Sequence, residues 1–225
     1  MEVRSLVFQV YLDAGRMVEA QTTAESTYGL FPDRREAMLG LAHVYLRTGQ
    51  PDLADEVLTH GLEKLPDDPA LLLAQANVRL LQGKAPDALR MAEAVQPPPD
   101  LAAQRFRLIA SCRAETADWP TLVKECEGVD KAWLEGPPRL LYVAALVASG
   151  RAAEAASGLG PPAEGTPSGR RTAVVIRALG GGSPLRDASA EQLAARLANQ
   201  TDALVKYAVG LASFDAGMPA KGRAA

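Results

Sequence analysis

The chain has 225 residues, 48% of them hydrophobic, and sets 24 basic against 27 acidic side chains for a net charge of −3. With no basic run and no apolar window near the roughly 18 residues of a membrane span, it lacks the electrostatic footprint of a nucleic-acid binder, and no membrane insertion is expected. Abundant Ala with only 5% aromatics suits tightly packed helices that share apolar surface between neighbours.

Residues 1–34 open with an apolar stripe at Val7, Phe8 and Tyr11. A turn at Gly15, small contact residues Ala20 and Ala24 on a second helix, and a stop at Pro32 follow. Gln9 interrupts the initial apolar run and no small-residue cleavage site follows, so no signal peptide is expected and a cytoplasmic chain is the reading. Residues 35–68 carry the clearest unit. Met38, Leu41, Ala42 and Tyr45 fall at spacings of three and four, which makes one apolar stripe on a helix. Gly49 suits a left-handed C-cap, and Pro51 suits the first turn of the next helix. That helix presents Leu53, Ala54, Val57, Leu58, Gly61, Leu62 and Leu65 along one side until Pro66, and the small residues Ala42, Ala54 and Gly61 permit close helix approach.

The same phase continues downstream. Residues 69–102 hold Leu72, Ala76, Gly83, Ala88 and Ala92, with polar Gln75 and Arg79 on the first helix, and they close on the extended step Gln96 to Asp100. A fourth unit, about 103–135, has Phe106, Ile109 and Ala110, then Ala117 where a turn glycine stood before, then Leu122, Val123, Cys126 and Val129. Trp119 and Trp133 are read as packing residues at hairpin ends. A fifth, 136–159, has Leu140, Val143, Ala144 and Val147, turns at Gly150 one residue out of phase, and has a short second helix. From 160 to 188 a Gly- and Pro-rich connection, expected to be mobile, holds one short helix near Arg170 to Leu179. Residues 189–225 provide two helices, Ala190 to Ala198 and one ending near Ala216, and then a turn that leaves the last hairpin incomplete. The absence of capping helices at either end suggests an excerpt of a longer protein, a chain completed by another subunit, or a frayed tail.

On these residues the chain resembles the tetratricopeptide repeat family, whose 34-residue helix-turn-helix unit has eight characteristic positions. They are held here by Met38, Leu41, Ala42, Tyr45, Ala54, Leu58, Gly61 and Pro66. The resemblance implies an all-α fold, a right-handed superhelical solenoid of antiparallel helix pairs. It also implies that the first helices line a concave groove able to hold an extended peptide or a partner helix. The groove positions are Ser5, Gln9, Leu39, His43, Leu73, Asn77, Arg107 and Ser111, each successive pair spaced by four on one helix face. Leu39 and Leu73 would give apolar contact and the others polar contact; a solvated inner wall is the plain alternative. Some members hold a C-terminal carboxylate with a Lys-Asn clamp followed by Asn, then Lys and Arg. Ser5, Gln9, His43, Leu73 and Asn77 do not make that pattern, so no such clamp is expected.

Chemistry is sparse. Two histidines, two cysteines and no H-E-x-x-H, G-x-S-x-G or phosphate-loop motif leave no catalytic or metal constellation, and no cofactor is expected. Cys112 and Cys126 fall at inward-facing positions, read as buried reduced thiols or, alternatively, a redox pair. The reading is therefore a non-catalytic interaction scaffold for a protein or peptide partner. The alternative is the helical module of a larger enzyme or thioredoxin-like co-chaperone, and self-association through uncapped ends is a third possibility. Composition rich in Ala, Arg, Gly and Pro suits a GC-rich bacterium.

Overall fold

A computed structural model of the chain describes residues 10–11, 14–134, 137–159, 204–206 and 208–209. Among them the secondary structure is entirely helical, and the helices pack in consecutive antiparallel pairs. In chain order they are α1 (Met17–Leu30), α2 (Arg35–Arg47), α3 (Pro51–Lys64), α4 (Pro69–Leu81), α5 (Ala85–Ala94), α6 (Pro99–Glu115), α7 (Trp119–Glu127), a 3-10 turn (Lys131–Leu134), α8 (Pro137–Ala148) and α9 (Ala152–Leu159). The contacts divide the chain into two compact units, one running to Leu108 and the other beginning at Ile109.

The punctuation between helices is local chemistry. Gly15, Gly49, Gly83 and Gly150 have φ of 70°, 76°, 78° and 78°, and Ala117 adopts the same left-handed conformation at 56°. At each of the last four turns the residue after the left-handed one donates its N–H to a carbonyl five residues back. Gln50 reaches Tyr45 at 2.7 Å, Lys84 reaches Arg79 at 2.9 Å, Asp118 reaches Arg113 at 2.9 Å and Arg151 reaches Leu146 at 2.8 Å. The left-handed residue itself bonds three back, as Gly49 does to Leu46 at 3.2 Å. This is the Schellman closure, which satisfies carbonyls that the helix end would otherwise leave bare. After the Gly49 turn Pro51 opens α3, a position where the missing N–H is dispensable, and Pro69 opens α4 in the same way. At α4 the Asp68 carboxylate also accepts from the Ala70 and Leu71 N–H groups, both at 3.0 Å. Pro99 likewise begins α6, four residues earlier than the expected start of the fourth unit, because only residues 95–98 of the proline step stay extended.

In the first unit α1, α2, α3 and α4 bury one continuous apolar seam. Met38, Ala42 and Leu46 of α2 meet Ala54 and Leu58 of α3 and Leu71 and Val78 of α4, while Leu41 and Val44 turn back onto Ala20 and Ala24 of α1. The small residues are where the helices come closest, as their spacing suggested. A Cβ placed on Gly61 would lie 2.8 Å from Met38 Sδ and 3.3 Å from Leu71 Cδ1, so a branched side chain there would force α3 away from its neighbours. In the second unit the 3-10 turn packs on α8, an element not foreseen from periodicity, and holds Trp133 half-buried. Here α8 buries Leu140, Leu141, Val143, Ala144 and Leu146.

The expected connection over 160–188, its short helix and the helix over 190–198 lie outside the described residues. Of the last expected helix, 204–206 and 208–209 are described, and both parts are helical, with Leu204 and Ala208 buried.

Candidate partner-binding face

The positions expected from the sequence to line a groove fall on α2, α4 and α6. Ser5 and Gln9 lie outside the described residues. On α2, Leu39 is half-buried and leans on the apolar cluster around Met38 and Leu46, whereas His43, one turn later, is solvent-exposed. Crowding by surrounding atoms, and secondarily the Arg47 cation one turn on, lower the His43 pKa below its ordinary value. That shift favours the uncharged imidazole, which has one donor and one acceptor to offer.

On α4 the expectation divides. Asn77, 34 residues after His43, is half-buried and reaches the surface, but Leu73 is only 1% exposed and belongs to the packed interior. The apolar contact expected of Leu73 is therefore not on offer. Helices α2 and α4 touch directly, and at 1% exposure the Leu73 side chain is covered by packing instead of facing solvent. On α6, Arg107 is exposed at the end of the first unit and Ser111 is half-buried at the start of the second.

Two polar assemblies were not foreseen as such. The first joins α3 to α4. Asp55 accepts from Arg79 at 3.0 Å and from Gln75 at 3.5 Å; Gln75 also reaches Thr59 at 3.2 Å, and Gln82 donates to Asp52 at 3.1 Å. The signal was present, because Asp52, Asp55 and Thr59 share one face of α3 by their spacing, as Gln75, Arg79 and Gln82 share one of α4. The second lies between α6 and α7 in the second unit. Arg113, 13% exposed, donates to Asp118 at 2.8 Å and to Glu125 at 2.9 Å, while the other Glu125 oxygen is buried without a hydrogen-bond partner. Beside it, Cys126 is buried, as is Cys112, and the two are not joined by a disulfide. Burial, reinforced by the Glu125 and Glu127 carboxylates, pushes the Cys126 thiol up to about 12, which keeps it protonated and unreactive.

Residues 11–78, which run from the end of the first expected helix through α4, match the family model described as Tetratricopeptide repeat. This stretch belongs to the tetratricopeptide repeat family. No curated protein matches the chain. Tetratricopeptide repeats generally mediate protein–protein interaction and are typically non-catalytic scaffolds. Among the described residues, no helix is long and apolar enough to cross a membrane. His43 and Asn77, both within the matched stretch and both reaching solvent, stand 34 residues apart, one repeat length.

Proposed function

We propose that these repeats form a non-catalytic adaptor that binds an extended peptide or a partner helix along the wall of the first helices. One observation carries the reading: α2 and α4 touch, their stripe residues are buried, and the same repeat position on each offers a polar group, His43 and Asn77, at the surface. Uncharged imidazole and amide groups suit recognition of backbone and polar side chains, with Arg107 farther along the wall and the half-buried Leu39 as an apolar edge. Two buried cysteines without a disulfide and the amino-acid composition suit a bacterial cytoplasm.

A crosslinking pull-down that compares the wild-type chain with Asn77→Ala/Arg107→Ala tests the reading. The variant should lose the captured partner while its melting temperature stays close to wild type. Capture at undiminished yield, or collapse of the fold in the variant, would overturn it.

A further inference from the structure

Charge in the first unit is sorted by helix. The first helices α2 and α4 carry Arg35, Arg47 and Arg79 against a single carboxylate, Glu36, whereas the second helices α1 and α3 carry six carboxylates against a single cation, Lys64. A chain of net charge −3 therefore keeps its cations on the helices that hold the expected groove positions. Two of the three are engaged. Arg35 reaches Asp68 and Glu36, both at 3.3 Å, and Arg79 reaches Asp55 at 3.0 Å. Arg47 is exposed and has no ion-pair partner among the described residues. The partial negative charge at a helix end favours a cation in the last turn, but Arg79 occupies the last turn of α4 and is paired all the same. The helix end explains a basic residue at Arg47 and not its open guanidinium.

Beyond its first residue, the exposed positions of α2 are Glu36, His43 and Arg47, whose spacings of seven and four put them on one face. Their counterparts one repeat on, Ala70, Asn77 and Leu81, are neutral. The one acid of this face is held by Arg35 at the far end of the helix, so nothing in it answers Arg47. We infer that the ligand of this face is an acidic peptide segment, with a side-chain carboxylate seated between Arg47 and the His43 ring. The inference rests on the adaptor reading above and adds the chemistry of what is bound. A carboxylate gives Arg47 the charge-assisted, two-pronged bond that its fork of donors fits, and the imidazole N–H one turn away supplies another donor. The carboxylates of α1 and α3 repel the same segment, which confines it to the first-helix side.

Fluorescence anisotropy at low ionic strength, with short C-amidated peptides of alternating Glu and Ser, Gln and Ser, or Lys and Ser, reads the charge directly. The Glu peptide should bind about fivefold or more tighter than the Gln peptide, the scale of one exposed ion pair, and added salt should shrink that margin. Arg47→Gln should bring the Glu peptide down to the level of the Gln peptide at an unchanged melting temperature. Lys64→Gln, which removes the same charge from α3, should leave the margin in place. Equal binding of the Glu and Gln peptides, an equal loss in both variants, or tighter binding of the Lys peptide or of a single-stranded oligonucleotide overturns the inference. The adaptor reading is judged separately. A Gln peptide that binds as well as the Glu peptide and is weakened by Asn77→Ala keeps the groove and removes the acidity, whereas peptides indifferent to Asn77→Ala and Arg47→Gln alike remove both.

Discussion

Ala117 is the one turn residue of the series that bears a side chain, and it should be the easiest place to stabilise the protein. Its φ of 56° lies with those of Gly15, Gly49, Gly83 and Gly150 at 70° to 78°. A Cβ built on any of those four glycines meets nothing within 4 Å, so the difference between Ala and Gly at these turns is backbone conformation alone. An L-residue held in the left-handed helical region costs about 1–2 kcal/mol. Glycine gives back about 0.4–1 kcal/mol through its greater freedom in the unfolded chain. The balance for Ala117→Gly is a gain of about 0.5–1 kcal/mol. For a chain of this length that corresponds to a rise of about 1–4 °C in melting temperature. Circular dichroism melts would show it, but a repeat array can unfold piecewise, so the local reading is the sharper one. Hydrogen exchange at the Asp118 amide, which bonds Arg113 at 2.9 Å across the turn, should slow in the variant. The opposite change, Gly49→Ala, should lower stability by a similar or larger amount. An Ala117→Gly protein that melts at or below wild type, with unchanged exchange at Asp118, would refute the reasoning.

Two further outcomes follow from the second unit. Arg113→Ala removes the cation shared by Asp118 and Glu125, one of whose oxygens is already buried without a partner, and should cost about 1–3 kcal/mol in urea denaturation. Adding Glu125→Gln should recover most of that loss, and a loss that persists would mean that the arginine acts through packing alone. The Cys126 thiol, raised from an ordinary 9.0 to about 12, binds its proton more tightly folded than unfolded. Its stabilising contribution is therefore complete below about pH 9 and is lost as pH climbs toward 12, at up to about 1.4 kcal/mol per pH unit. Alkaline stability curves of wild type and Cys126→Ala should diverge in that window, and identical slopes would contradict it.

The helices and their phase were legible in the sequence because they depend on neighbours. Stripes at spacings of three and four name the buried face of a helix, a left-handed turn selects Gly, and Pro marks the first turn where an N–H is dispensable. Even Ala117, which breaks the glycine pattern, kept the conformation that its phase assigned. Local rules failed where a segment had two locally acceptable states. Pro99 could end an extended step or open a helix, and it opens α6; the 3-10 turn carrying Trp133 has no periodicity to announce it.

Which side chains face one another is a different kind of information. Leu39 and Leu73 stand 34 residues apart at one repeat position, yet Leu39 reaches the surface and Leu73 is sealed inside. Gln75 and Arg79 look like lapses from an apolar stripe until α3 brings Asp55 and Thr59 against them. The amino-acid order determined the elements, because backbone conformation answers to residues within a turn or two. Tertiary packing alone decided exposure and polar pairing between helices, because both depend on atoms that arrive from a neighbouring helix, such as Thr59 sixteen residues before Gln75.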